Sequence, residues 1–401
     1  MNGHPLESSV RLLFRSALAI FLITIVIGIL NGLDIWDPTH EMVLTHVHAG
    51  TLGWITLSVI GIALLMFGED SSPIEASGAQ RMSNAIVGAV GLYVIAFATT
   101  TGLFRPVAGT LMLIAIVWAF VWVAGRWNRT PHTVPVLALF LALVSLVIGA
   151  VLGVILGLFI LFIAQGEVPG LDTETASNLG GAHPAAMLTG YLLLAGIAVA
   201  EWRLADRPAM ASESKVGAGT AWLLFIAGVL FNLAFILDIE AFIQVASLLQ
   251  VVAVIAFVSR MWKYLTPSTW RDAGVAVYAK LSVVYLVIGV ALLVYVVQLF
   301  VSGELNPETG EGPIGVLIAF DHAMFLGVMT NALFAGLAIG LAYDTAQRVV
   351  VWGVNVGLAG FLIGLVGDIT VMKRIFTPLM GLALIMAVAV FIRPRRAAVS
   401  A

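Results

Sequence analysis

Residues 134–164 read VPVLALFLALVSLVIGAVLGVILGLFILFIA, without one charged side chain. As a helix rising about 1.5 Å per residue, this run more than crosses a hydrocarbon core of roughly 30 Å. Outward from it, similar runs recur along the chain. Spans are expected near 12–33, 44–67, 84–104 and 106–125 before it. After it they fall near 180–201, 217–237, 241–262, 280–301, 314–342, 349–370 and 376–393. Of the 401 residues, 61% are hydrophobic and 10% charged, with a mean hydropathy of +1.07. A water-soluble domain carries about 25% charged residues. Strand-period alternation is absent, which argues against a membrane barrel. No long polar linker divides the chain, so residues 1–401 read as a single all-α polytopic membrane domain. The first span lacks a cleavage signal and is expected to be retained.

Charge supports this count. With twelve spans and both termini cytoplasmic, Arg105, Lys373 and Arg374 are the only cations on the outer side. The other 16 of 19, from Arg11 and Arg15 to Arg393, Arg395 and Arg396, fall inside. This follows the positive-inside rule and points to a cell (cytoplasmic or inner) membrane. The outer segments are acidic, with Asp34, Asp37, Glu41, Glu167, Asp172, Glu174, Asp238, Glu240, Glu304, Glu308 and Glu311. The lipid bilayer is the expected partner and nucleic acid is not. There is no cysteine, which excludes disulfides, thiolate metal sites, iron–sulfur clusters and C-x-x-C-H haem attachment.

Three segments align: His46-Val-His48-Ala-Gly-Thr-Leu-Gly53-Trp54, His183-Pro-Ala-Ala-Met-Leu-Thr-Gly190-Tyr191 and His322-Ala-Met-Phe-Leu-Gly327. Gly53, Gly190 and Gly327 are spaced by 137 residues and again by 137. In this register His46 matches His183, and His48 matches His322. Four spans separate successive members, so the chain reads as three four-helix units (about 1–125, 126–262 and 263–401) in pseudo-threefold arcs. All four histidines lie near the outer ends of even-numbered spans. Ionisable residues at such depth need partners and mark functional sites. Residues i and i+2 of an α-helix differ by about 200°, so His46 and His48 point to opposite flanks and serve two sites. Imidazole is an axial ligand of haem iron, and a flat macrocycle fits between helices. Ala49, Gly50, Gly53, Gly180, Gly181, Ala185 and Ala186 would let it approach, although small residues equally serve helix packing.

The His46–Trp54 segment resembles the catalytic subunit of haem–copper oxidases, closest to the C-family and nitric oxide reductase branch. Gly181-Ala-His183-Pro184 resembles the G-H-P start of another helix of that family. The resemblance implies twelve spans in three arcs and one or two haem b groups, with His46, His48, His183 and His322 as iron ligands. It also implies that Arg105, Lys373 and Arg374 compensate haem propionates. Two pairings are open: His48 with His183 and His46 with His322, or His48 with His322 and His46 with His183. The family's H-x-H lies on its tenth helix, whereas here it lies on the second span. The family's copper-binding histidine pair on helix seven and its cross-linked tyrosine have no counterpart in Ala221–Leu237, so neither copper nor four-electron oxygen reduction is expected. Span interiors contain almost no carboxylate or lysine, so no proton relay is evident.

Three readings follow. One is a haem b membrane protein moving electrons or acting on nitric oxide or oxygen, fed by quinol or a cytochrome and accompanied by small accessory subunits. The second is a non-catalytic haem or metal protein that responds to a gas. The third is a small-solute transporter using the histidines for substrate or protons.

Overall fold

A computed structural model describes residues 3–100, 102–165, 173–205, 207–271, 273–306 and 311–393. Glu167, Asp172, Glu308, Arg395 and Arg396 lie outside the described residues. Among the described residues, twelve helices are long and apolar enough to cross a membrane. They are α1 (Glu7–Gly32), α2 (His40–Phe67), α3 (Pro73–Thr99), α4 (Phe104–Arg129), α5 (Val134–Ile163) and α6 (Glu174–Leu204), then α7 (Lys215–Leu237), α8 (Glu240–Leu265), α9 (Ala276–Val301), α10 (Ile314–Leu337), α11 (Thr345–Val366) and α12 (Thr370–Phe391). The chain is a multi-pass, all-α membrane protein.

Two boundaries differ from the hydropathy reading for local reasons. Helix α3 starts at Pro73 instead of 84, because Ser72 and Glu75 form a capping box. Ser72 Oγ accepts from the Glu75 N–H at 3.3 Å, and the Glu75 carboxylate accepts from the Ser72 N–H at 2.8 Å. The cap starts a helix whose first turns are polar. Helix α10 stops at Leu337 instead of 342, just before Gly340 adopts a φ of +73°, a left-handed conformation that ends a helix readily.

Burial separates the helices into two classes. The central stretches of α2, α6 and α10 are 83%, 89% and 67% buried; α11 reaches 61% and the other helices 17–44%. Helices α2, α6 and α10 form the axis. The other nine surround them in the order α1, α3, α4, α5, α7, α8, α9, α11, α12, with α12 packing back on α1. Each four-helix unit thus contributes one axial helix and three ring helices. The ring helices turn long apolar side chains outward, such as Leu248, Ile255, Trp262 and Trp352, as a lipid-facing surface requires.

At the axis each central helix widens into π-helical turns, at Ala49–Thr56, Ala186–Leu192 and Ala323–Thr330. Their first residues are spaced by 137 and again by 137, the same repeat that relates the histidines. The axial helices are tied together by hydrogen bonds at this level. Trp54 Nε1 donates to Thr330 Oγ1 at 2.9 Å, and the Tyr191 hydroxyl donates to Thr56 Oγ1 at 3.3 Å. Both rings are fully buried, and a polar tip on a buried aromatic needs such a partner.

Candidate functional site

The four histidines sit just before the π-helical turns, at one end of the bundle. His46 and His322 face one another across the α2–α10 cleft, with ring centroids 6.5 Å apart and ring planes 28° from parallel. His48, on the other flank of α2, lies within electrostatic reach of His183 on α6. The structure therefore brings together His46 with His322, which belongs to the first of the two pairings left open above, while His48 and His183 interact electrostatically.

The repeat extends to how each ring is held. Nδ1 of His46 lies 3.0 Å from the Thr24 carbonyl on α1, and Nδ1 of His183 lies 2.8 Å from the Gly149 carbonyl on α5. Nδ1 of His48 lies 2.8 Å from the Leu44 carbonyl, and Nδ1 of His322 lies 2.8 Å from the Ile318 carbonyl, each four residues back on its own helix. A carbonyl only accepts, so in all four rings Nδ1 carries the proton and Nε2 carries the lone pair. Each pair joins one ring held by a neighbouring helix to one held by its own helix. Rotation by one repeat carries His46 and His322 onto His183 and His48.

Glycines make room for the two rings held from outside. A Cβ on Gly28 would lie 3.1 Å from His46 Cε1, and one on Gly153 would lie 2.8 Å from His183 Cε1. Thr24 also returns a bond, its hydroxyl donating to the His46 carbonyl at 2.8 Å. The small residues suggested by sequence divide between two roles. Gly50 lines the cavity between His46 and His322. A Cβ on Gly53 would run into Ile20, and one on Gly181 into Phe235, so these two serve helix packing.

The cavity between His46 and His322 contains about 820 Å³ of atom-free space, part of it open at the mouth. Its walls are mainly apolar, with Phe21, Ile25, Trp54, Phe361 and Met380 among them, and Gly28, Gly50 and Gly381 keep them thin. Two imidazoles sharing one metal, with metal–nitrogen bonds of about 2.0–2.1 Å, would place their centroids no more than about 6.4 Å apart. The observed centroid spacing of 6.5 Å is close to that limit. Among the described residues, no three His, Asp or Glu side chains converge to hold a bare ion.

The three cations at this end divide between the clefts. Arg105, at the start of α4, lies within electrostatic reach of His48 and donates to the Phe97 carbonyl at 3.0 Å. Phe97 and Tyr93 pack on the His48 ring at centroid distances of 4.3 and 5.2 Å. Lys373 and Arg374 head α12, which lines the α2–α10 cavity, but each is paired. Arg374 donates to Asp34 Oδ2 from Nη2 at 2.7 Å and from Nε at 2.9 Å, and Lys373 Nζ lies 3.1 Å from Asp368.

Sequence reasoning passed over Asp321, which lines the cavity beside His322 with its Oδ1 buried and without a hydrogen-bond partner. Its signal was available: a carboxylate inside an apolar span, next to a histidine. The expectation of nearly carboxylate- and lysine-free span interiors meets an exception in Asp321. Asp321 is joined by Glu201, ion-paired with Arg260, and by Lys280, 2.7 Å from Thr269 Oγ1. Those two lie toward the basic end of the bundle, where charged side chains find partners near helix termini. No protein-family model matches this chain, and no curated protein matches it.

Proposed function

We propose that this is a haem b membrane protein, distantly related to the haem–copper oxidase core, that moves electrons between two bis-histidine sites. One observation carries the reading: four imidazoles, each fixed through Nδ1 to a backbone carbonyl, grouped as two symmetry-related pairs, one with a separation close to the limit for a shared metal. Metal-binding histidines typically donate their second nitrogen in this way, which sets the tautomer and ring orientation. The apolar walls suit a porphyrin face, and Arg105, Lys373 and Arg374, at the same end of the bundle, would compensate its carboxylate substituents.

Haem would supply one-electron redox chemistry. The chain's own residues set its terms. His46 and His322 would grip one iron, and His48 and His183 the other. Thr24, Gly149, Leu44 and Ile318 would hold the ligating rings at fixed angles. Gly28 and Gly153 would let the rings lie against the ring helices. If both histidines of a pair hold the group, no position would be left for nitric oxide or oxygen, which favours electron transfer over chemistry on those gases. The donor would be quinol or a cytochrome, from the membrane in which the chain resides.

A pyridine haemochrome assay and optical spectra of the purified full-length chain test this reading. The expected result is two haem b per chain with sharp low-spin bands on reduction. His48→Ala and His183→Ala should abolish one and the same signal, and His46→Ala and His322→Ala the other. Colourless protein, made with haem in ample supply, would overturn the reading and leave a transporter.

A further inference from the structure

The ring helices meet at three seams between repeat units: α4 with α5, α8 with α9, and α12 with α1. Two of them are closed by packed side chains. Phe120 of α4 packs on Phe140 of α5 with ring centroids 5.6 Å apart, and a Cβ on Gly381 of α12 would run into Ile29 of α1. The α8–α9 seam instead opens outward as a groove with about 930 Å³ of atom-free space, part of it beyond the mouth. Val254 and Val290, 4% and 6% exposed, form its floor, and the exposed Ile255 and Val287 stand at its rim. From Val251 to Ser259 it runs about 12 Å along α8, at about 1.5 Å per residue. That is close to the depth of one leaflet of a hydrocarbon core about 30 Å thick.

The two ends of the groove differ in charge. At the acidic end Glu240 starts α8 and Glu304 follows α9, both exposed. At the basic end a short connector joins the two helices and is tied to both. Trp270 Nε1 donates to the Leu265 carbonyl of α8 at 3.0 Å, and Lys280 Nζ of α9 donates to Thr269 Oγ1 at 2.7 Å. Residues 260–280 carry four cations and one carboxylate, Asp272, which lies outside the described residues. Arg260 is committed to Glu201, and Lys280 to Thr269. Lys263 and Arg271 are exposed and form no ion pair among the described residues. Lys263 follows Ser259 by four residues, so it continues the groove-lining face one turn nearer the basic end. The exposed Trp262 beside it is the kind of residue that marks a headgroup boundary.

We infer that the α8–α9 groove holds one acyl chain of an anionic phospholipid, whose phosphate is drawn to Lys263 and Arg271. The site is independent of the histidines and needs no haem. Within hydrocarbon an apolar groove discriminates little between lipids, because all offer similar tails. Selection falls to the headgroup, and basic pockets between spans select anionic ones. The carboxylates at the other end repel the same headgroup, which fixes the lipid's direction: tail toward Val251, phosphate toward Lys263. A chain lodged there would seal the seam between the second and third units.

Native mass spectrometry of the delipidated full-length chain in neutral detergent tests this, titrated with phosphatidylglycerol or phosphatidylcholine carrying identical oleoyl tails. One phosphatidylglycerol per chain should be retained at least tenfold more tightly than phosphatidylcholine. Lys263→Gln and Arg271→Gln should each weaken phosphatidylglycerol about fivefold, the effect of one cation near a membrane surface, and leave phosphatidylcholine unchanged. Ala291→Trp, at an exposed position on the groove wall, should abolish retention of the one tight lipid. All three positions are exposed, and a variant that fails to fold leaves the others decisive. Equal retention of the two lipids, or a preference that survives all three substitutions, would overturn the inference. So would a dimer that Ala291→Trp converts to monomers, which would give the groove to a second copy of the chain.

Discussion

The α2–α10 cleft and the α6–α10 cleft occupy equivalent places in the repeat, yet only the first presents two imidazoles. Where it has His46 and His322, the 137-residue register gives the other Phe320 and Ala185. Both are buried, at 4% and 7% exposure. The α6–α10 cleft closes with apolar side chains, which shows that the scaffold does not depend on histidine at these positions. Burying an imidazole in a span costs free energy that Phe and Ala avoid. The difference separates what the fold needs from what a ligand needs.

The most severe way to break this comparison is to make the first cleft like the other. His46→Phe with His322→Ala should remove half of the bound haem, measured by haemochrome. The chain should still elute as the same monodisperse species in detergent. Loss of both haems would mean that the clefts do not act independently.

The reverse exchange sharpens it. In α5, Gly149 meets Met187, and in α9, Gly289 meets Met324. Met187 and Met324 are one repeat apart, so Gly153, under the His183 ring, corresponds to Leu293. Leu293 is buried and fills the space that a ring would need. Ala185→His with Phe320→His should therefore gain no haem, whereas adding Leu293→Gly should raise haem content above two per chain.

A smaller effect is expected at the glycines. Gly153→Ala sets a methyl 2.8 Å from His183 Cε1, and Gly28→Ala sets one 3.1 Å from His46 Cε1. Disturbing the support of a ligating histidine typically costs about 10–100-fold in affinity. Gly153→Ala should weaken haem retention at the α2–α6 site by about tenfold, and Gly28→Ala should act less at the other site. Both are measurable by haem transfer to an acceptor protein. The smallest change is Trp54→Phe, which deletes the bond to Thr330. It should destabilise the chain by about 1 kcal/mol in denaturant unfolding, with the haem spectra unchanged.

Much of this architecture was legible in the sequence. The spans were visible because hydrocarbon demands uninterrupted apolar length, and the units because three glycines and four histidines keep one spacing. The start of α3 was not, because Glu75, Gln80 and Arg81 hide a helix that Ser72 begins. The site was legible in its imidazoles and not in their supports. Thr24, Leu44, Gly149 and Ile318 act through main-chain carbonyls, which no side-chain pattern announces. Asp321 was visible as a letter, but only the cavity gives its carboxylate a direction. The π-helical turns left no trace either, since Ala49–Thr56 has the composition of any tightly packed span.

Those wide turns also set an angle. Each residue of an ordinary helix advances the chain about 100° around its axis, and a π turn accommodates one residue more. Winding Ala49–Thr56 as a regular helix with all 8 residues kept would leave about one residue more than its turns need. With the lower half of α2 locked by Trp54 and its neighbours, the upper half would swing by most of a right angle. His46 and His48 would then sweep past their partners together. The two histidine pairs thus share one mechanical setting, and it lies in the backbone beneath them, not in the rings.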